Sequence, residues 1–391
     1  MTPAARVAAA VTVLDAILAG RSAEQALKAW GRASRFAGSK DRAALRDLVF
    51  DALRRRSSCA ALGGGMHGRG LMLGLGVQQG WSLESIFSGD GYGPDRLTDG
   101  GNGLIANPAD LSRADRLDAP AWIVDQLDRD LGADAEPALL ALRDRAGLFL
   151  RVNQRRGTSE SAIAALAADQ IVAEPHPDVP GCLIVTQNPR RVAQCAAYTS
   201  GLVEVQDAAS QMAVSGLEIP AGSTVLDYCA GGGGKSLAVA DRFDCAVTAH
   251  DIAPQRMADI GPRAARAGVE IAVVGPDALS ADRRFDVVLV DAPCSGSGTW
   301  RRNPEAKWAL TPADLARFNA LQAEVLDKAA GYLKPGGQLV YMTCAIFASE
   351  NAQVIAEFLQ SCPAYEALPP LALLPTPIWD GFFCQPLRHR V

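Results

Sequence analysis

The sequence predicts a three-part chain: an all-helical segment, a small α+β segment, and an α/β domain built on a parallel sheet. Three observations carry this. From about Ser223 onward, apolar runs alternate with helical stretches, and runs such as Val287-Val288-Leu289-Val290 are continuous, as in strands buried on both faces. Before residue 145, apolar residues recur at helical spacing. Between the two lies a short region where brief strands flank one helix. At 391 residues the chain has the length for two or three domains of roughly 150 residues. The boundaries are placed at 1–145, 146–215 and 216–391.

In chain order, Arg6 followed by small apolar residues faintly imitates a signal peptide. Asp15 interrupts that run, and Val7, Val11, Leu14 and Leu18 fall at helical spacing, so the stretch reads as an amphipathic helix. Ser22 with Gln25 forms a capping-box pattern opening a second helix. Leu45, Leu48, Val49 and Leu53 give a third helix its apolar stripe. A break is expected around Gly63 to Gly65, Gly68 and Gly70. A helix including Leu71, Met72 and Leu73 then leads to a Gly- and Asp-rich segment near 99–102, and 122–142 is again helical. The small α+β segment has strands at 149–153, 181–185 and 202–205, with a helix at 161–169. Strands of the last domain are expected at 224–227, 246–251, 271–274, 285–291 and 338–343.

Composition is that of a soluble protein, 49% hydrophobic and 21% charged, with no apolar run approaching the roughly 20 residues of a membrane span. Nine cysteines are scattered without a C-x-x-C pair, and the four histidines stand far apart. This argues for a reducing, cytoplasmic setting and against a disulfide framework or a metal site. The net charge of −5 by itself leans against nucleic acid. Basic residues nevertheless cluster at Arg32, Arg35, Lys40, Arg42, Arg46 and Arg54 to Arg56, then at Arg155, Arg156, Arg190, Arg191, Arg301, Arg302 and Lys307. Phosphate binding depends on a local patch rather than on the total.

Three motifs carry chemistry. In Val225-Leu226-Asp227-Tyr228-Cys229-Ala230-Gly231-Gly232-Gly233-Gly234-Lys235-Ser236, a strand ends in an acid and a glycine loop opens a helix, leaving the backbone open to close ligand approach. A Walker loop would need glycine where Cys229 stands, and a dinucleotide G-x-G-x-x-G starting at Gly231 would end at Ser236. S-adenosylmethionine fits better, with Asp227 toward its methionine part and Asp251 toward its ribose. The second motif is Asp291-Ala292-Pro293-Cys294-Ser295-Gly296-Ser297-Gly298-Thr299, at the end of a parallel strand where open sheets bind ligands. Behind it, Arg301, Arg302, Lys307 and Trp308 suit phosphate contact and base stacking. The third is Tyr341-Met342-Thr343-Cys344-Ala345-Ile346-Phe347, again at a strand end. Most cysteines are expected to be small buried hydrophobes; Cys294 and Cys344 differ because both fall where the cleft should be.

Together these motifs resemble those of the RNA 5-methylcytosine methyltransferases of the RsmB and NOL/NOP/Sun type. Arg301-Arg302-Asn303-Pro304-Glu305, the Glu350-Asn351 pair, Asp380-Gly381-Phe382-Phe383 and residues 205–211 extend the likeness, while Gly232 stands where the family commonly has proline. Residues 30–42 are similar to the NusB-like module of RsmB proteins. The resemblance implies a Rossmann-like class I methyltransferase domain, preceded by a small α+β segment and an all-helical NusB-like RNA-binding domain.

It further implies that Cys344 attacks carbon 6 of cytosine, that Asp291 bonds the cytosine ring, and that Cys294 assists loss of the carbon-5 proton or release of product. Asp227, Cys229, Ala230, Gly231, Gly232, Gly233, Gly234, Lys235, Asp251, Arg256, Asp277 and Asp291 would bind S-adenosylmethionine, and Arg301, Arg302 and Lys307 the RNA. Small-subunit ribosomal RNA is the expected partner, with transfer RNA as an alternative; no membrane or metal partner is expected, and the chain is expected to be a monomer. Two other readings are a non-catalytic ribosome assembly factor with a vestigial methyltransferase domain and, more distantly, a nicotinamide dehydrogenase.

Overall fold

The structure is a computed structural model describing residues 1–97 and 107–390, so the segment at 99–102 lies outside the described residues. The chain divides into two compact units. One is Met1–Arg145 with Trp300–Ala309, the other Ala146–Thr299 with Leu310–Val391.

The first unit is helical. Helices Pro3–Leu18, Ala23–Ala33, Ser39–Arg54, Arg56–Leu62 and Gly68–Gln78 enclose a core that includes Val13, Leu14, Leu45, Val49, Leu53, Leu71 and Leu75. Leu48, from the same expected stripe, packs against that core. The Ser22 hydroxyl accepts from the Gln25 N–H at 3.4 Å, as the capping pattern anticipates. The glycine break is narrower than expected, because Gly68 and Gly70 lie inside a helix. Close packing explains them: a Cβ at Gly70 would lie 2.3 Å from the Gly65 carbonyl, and one at Gly74 only 2.0 Å from that of Cys59. These glycines let backbones touch.

Trp300–Ala309 belongs to this unit, although the sequence reading keeps it with the α/β domain. The Trp308 indole donates to the Leu53 carbonyl at 2.7 Å, and Glu305 accepts from the Ala23 N–H at 2.9 Å. Both are pairings between residues more than 250 apart in sequence, which no local pattern announces.

The second unit holds two sheets. The smaller has β1 (Leu148–Val152), β2 (Val172–Pro175), β3 (Cys182–Gln187) and β4 (Val203–Val205) in the antiparallel order β2-β3-β1-β4, with the helix Ser159–Ala168. Strand β2 escapes the sequence reading because only Ala173 of its four residues is buried and it ends on proline.

The larger sheet has β5 (Ser223–Asp227), β6 (Cys245–His250), β7 (Ile271–Val274), β8 (Phe285–Asp291), β9 (Leu333–Thr343), β10 (Tyr365–Ala367), β11 (Leu371–Leu373) and β12 (Phe382–His389). The first five are parallel in the order β9-β8-β5-β6-β7, a Rossmann-like arrangement, and β12 adds antiparallel to β9. The continuous apolar runs have the expected cause. Val288 and Val290 enter the core on one face of β8, Val287 and Leu289 that on the other. Strands β10 to β12 had no counterpart in the sequence reading; β10 and β11 have three residues each, and Pro386 interrupts β12. Strand order reverses between β5 and β8, so the loops after Asp227 and Asp291 diverge and open a crevice at the strands' C-terminal ends.

Replacing Gly74 by alanine should lower the stability of the helical unit by about 1–3 kcal/mol, the usual cost of overpacking. A thermal melt unchanged from wild type would contradict the backbone contact with Cys59.

Candidate functional site

The glycine loop is shaped by its neighbours. Gly231 and Gly233 have φ of +50° and +77°, and a Cβ on Gly233 would lie 2.7 Å from Ile260. The Gly231 N–H donates to Asp251 at 2.9 Å, Ala230 donates to the His250 carbonyl at 2.8 Å, and the Gly232 carbonyl accepts from the Arg263 guanidinium. Loop and second strand are therefore tied together. Asp251 is itself buried; its other oxygen accepts from the Ala253 N–H at 2.9 Å, and Arg256 lies 3.1 Å away on the exposed side. Ile252, 81% exposed, follows directly, an apolar surface beside the loop that the sequence reading missed. Asp277 is exposed in the turn Pro276–Ala278 after β7.

Asp227 is fully buried at the end of β5. Its Oδ2 accepts from the Ser236 hydroxyl at 2.6 Å, while Oδ1 has no hydrogen-bond partner among the described residues. Burial pushes this carboxyl up to about 6, with the Ser236 bond working against it and Asp291 adding to it. The Cys229 thiol is pushed well up by burial and by neighbouring carboxylates, which leaves it an inert part of the loop.

Lys235, expected to bind the cofactor, instead places Nζ 2.6 Å from Asp291 Oδ2 and over the Phe382 ring at 5.0 Å. Burial opposes its charge, but the Asp291 carboxylate outweighs this and holds it protonated above its ordinary value. The two cysteine loops meet close by, with the sulfurs of Cys294 and Cys344 3.4 Å apart. Cys344 is held below the usual thiol range, first by the hydrogen bond from Cys294 and also by the Lys235 ammonium and the Thr299 hydroxyl, against burial and the Asp291 charge. Cys294 is driven well up by that same bond, by burial and by the charges of Cys344 and Glu350. Of the two, Cys344 is therefore the more readily ionised.

Backbone contacts lock these loops. Gly298 donates to the Cys344 carbonyl and Gly381 to the Gly298 carbonyl, both at 2.9 Å; a Cβ on Gly298 would lie 2.4 Å from the Gly381 carbonyl oxygen. Asp207, from the segment 205–211, accepts from the Asp380 N–H at 3.3 Å and so fixes the Asp380–Phe383 stretch. Ser297 accepts from Ile346 at 2.8 Å. Glu350, Gln322 and Asn351 complete the supports, through hydrogen bonds to the residues that flank Cys294 and Cys344, and no spacing in the sequence announces those pairings.

The structure gathers Asp227, Lys235, Asp291, Cys294 and Cys344 together, with the Cys229 to Gly234 loop tied to Asp251 and Arg256 beside them, whereas Asp277 stands farther along the same sheet edge, after β7. It departs from expectation at the basic segment. Arg302 is exposed, but Arg301 and Lys307 are buried, and so are not free to meet phosphate. The Lys307 ammonium donates to the Arg54 carbonyl at 3.2 Å, and Arg54 donates to the Arg301 carbonyl at 2.7 Å. Burial pushes Lys307 down to about 7 despite the nearby Asp118 carboxylate. Among the described residues no group of side chains is arranged to hold a metal ion, and no helix is long and apolar enough to cross a membrane.

Comparison with known proteins agrees with this arrangement. Residues 214–373 match the family described as 16S rRNA methyltransferase RsmB/F, and residues 119–192 match the ferredoxin-like domain of RsmF/B-like methyltransferases. The ribosomal RNA small subunit methyltransferase B of Klebsiella pneumoniae is 34% identical over 285 residues, covering 69% of this chain and 66% of the relative. That of Salmonella arizonae is 34% identical over 250 residues, covering 62% and 58%. The chain thus spans 58–66% of the length of these relatives. Among solved structures, PH0851 shares the fold with a TM-score of 0.76 at 22% identity over 99% of both chains. A methyltransferase homolog from Pyrococcus horikoshii gives a TM-score of 0.62 at 25% identity, over 73% of this chain and all of the other.

The position of Lys307 has a measurable consequence. Unfolded, it keeps its proton to its ordinary value of 10.5, whereas folded it releases the proton near 7. Unfolding takes up a proton between those values, so this lysine makes stability rise with pH across that window. Lys307→Met should remove that rise, read as melting temperature from pH 6 to 10; parallel curves for variant and wild type would sink the assignment.

Proposed function

Since the chain belongs to the RsmB/F methyltransferase family, we propose that it transfers the methyl group of S-adenosylmethionine to carbon 5 of a cytosine in small-subunit ribosomal RNA, through a covalent bond to Cys344. The observation that carries this reading is the 3.4 Å contact between Cys294 and Cys344, in surroundings that make Cys344 the more readily ionised of the two.

The cleft fits the cofactor. Asp227 Oδ1 is a buried acceptor without a partner, suited to the ammonium of the methionine part. Gly231 to Gly234 leave room for close approach, with Asp251 and Asp277 beyond successive strands for the ribose and adenine. Bound there, S-adenosylmethionine supplies an electrophilic methyl on a sulfonium.

Carbon 5 of cytosine is too weak a nucleophile to take that methyl unaided. The Cys344 thiolate adds to carbon 6, forming a carbon–sulfur bond and placing electron density on carbon 5; that carbon would accept the methyl as its bond to the sulfonium breaks and leaves a neutral thioether. Asp291, steadied by Lys235, hydrogen-bonds the ring, and the Lys235 ammonium paired with it offsets the negative charge developing there. The carbon-5 proton leaves to water, and Cys294 assists release of the product as the carbon 6–sulfur bond breaks and returns the Cys344 thiolate. In this reading residues 1–145 form a NusB-like RNA-binding domain, residues 146–215 a linking subdomain, and the protein works in the cytoplasm on a base exposed from its stack.

Bisulfite sequencing of RNA from a deletion strain should show one methylated cytosine lost, restored by wild type and not by Cys344→Ala. A restored mark with Cys344→Ala would overturn the nucleophile, a transfer RNA site would change the substrate, and an unchanged map would favour a non-catalytic assembly factor. Cys294→Ala should accumulate a covalent RNA adduct on denaturing gels, which Cys344→Ala abolishes.

Cofactor affinity should also follow pH. Asp227 must be ionised to hold an ammonium, so binding weakens as pH falls through about 6. Calorimetric titration should show this loss in wild type and a weaker, flatter profile in Asp227→Asn. Affinity independent of pH from 5 to 8 would remove Asp227 from that role.

A further inference from the structure

We infer that the adjacent pair Glu350 and Asn351 positions the two-thiol centre, Glu350 by holding the loop that carries Cys294 and Asn351 by holding the loop that carries Cys344. This rests on the reading of Cys344 as the nucleophile and adds two residues that touch neither substrate nor cofactor.

Each cysteine is gripped by the residues on either side of it. Glu350 accepts from the Ser295 N–H at 2.8 Å and from its hydroxyl at 2.5 Å, and from the Gln322 amide at 3.0 Å. The same Gln322 nitrogen donates to the Pro293 carbonyl at 2.9 Å. Residues 293 and 295 are thereby held through Glu350 and Gln322, with Cys294 between them. One position on, Asn351 accepts from the Thr343 hydroxyl at 2.6 Å and donates to the Ala345 carbonyl at 3.0 Å, with Cys344 between those two. The Tyr341 hydroxyl donates to the Glu350 carbonyl at 2.7 Å, tying the pair to β9 itself. The distance between the sulfurs is therefore referred to one dipeptide.

Two features are costly unless they serve this purpose. Glu350 is wholly buried, and its hydrogen-bond partners are all neutral, so burial raises its carboxyl above the ordinary value. A buried carboxylate without a cation is a poor way to stabilise a fold. Ionised, it does, however, disfavour ionisation of Cys294, which favours Cys344 as the thiolate. Asn351 stands at the N-cap of the helix Ala352–Ser361, where an asparagine side chain ordinarily caps the helix, yet it makes no capping bond. Its amide is committed to the Cys344 loop instead.

The test is alkylation of the intact protein by iodoacetamide from pH 6 to 10, with labelling at each cysteine read by mass spectrometry. The charged and titratable groups around the pair are Asp291, Lys235, Glu350 and Tyr341, and these stay in place in the Thr343 variants. Wild type should label Cys344 ahead of Cys294. Glu350→Gln should lower that preference about tenfold, the equivalent of one unit in relative thiol acidity. Thr343→Val should lower it as well, whereas Thr343→Ser, which keeps the hydroxyl, should retain it. Melting temperatures identify any variant that fails to fold; were Glu350→Gln to do so, the two Thr343 variants decide. Equal preference in wild type, Glu350→Gln and Thr343→Val would overturn the inference, as would equal loss in Thr343→Ser and Thr343→Val. Alkylation requires neither RNA nor cofactor. A preference that responds to these substitutions in a protein that methylates nothing would overturn the proposed reaction and keep the positioning role.

Discussion

Two chemically identical side chains face each other across 3.4 Å, and the surroundings make them unlike. Cys344 has the Lys235 ammonium and the Thr299 hydroxyl on its side; Cys294 has the Glu350 carboxylate. Both influences make Cys344 the easier of the two to ionise. Most of the architecture around the cleft acts to keep that asymmetry: the two strands that end side by side, the loops locked through Gly298 and Gly381, and the acid beneath Ser295. Were the sulfurs to separate by an ångström or two, the hydrogen bond that depresses one thiol and raises the other would be lost.

The cofactor side of the cleft follows a different logic. Asp227 is kept fully buried with one oxygen bonded to Ser236 and the other without a protein partner, and its carboxyl is raised as a result. A buried acceptor left without a donor costs stability in the free protein. The incoming ammonium would relieve that cost on binding. Lys235 connects the two sides, since its salt bridge to Asp291 places a cation between the cofactor acid and the thiols. Its charge survives burial only because Asp291 is there.

Charge in this chain reads differently once burial is known. The cluster from Arg301 to Lys307 looks like an RNA-facing patch in one dimension, yet two of its three cations are interior. Lys307 and Arg301 instead join Arg54 in a chain of contacts that secures a short excursion of the backbone within the helical unit. A basic residue beside an aromatic suits phosphate and base on a surface, and suits a carbonyl and a buried indole just as well.

The parallel sheet, the glycine loop and the candidate reacting groups are legible in the sequence alone. Strands such as β5 and β8 are buried on both faces, so their apolar runs are local and unmistakable, and Asp227, Asp291, Cys294 and Cys344 all sit at strand ends that such runs mark. Tertiary structure alone decided which groups those residues meet. Lys235 on Asp291 and Glu350 beneath Ser295 are contacts between residues more than fifty apart, and Asn351 beside Thr343 spans a turn, all without periodicity to betray them. The same holds for β2 and β10 to β12, which are too short or too interrupted for an alternating pattern to emerge. Local chemistry writes the motifs, and the long-range packing of a folded chain sets which thiol ionises more readily, because ionisation depends on every neighbour in space and not only on the neighbours in sequence.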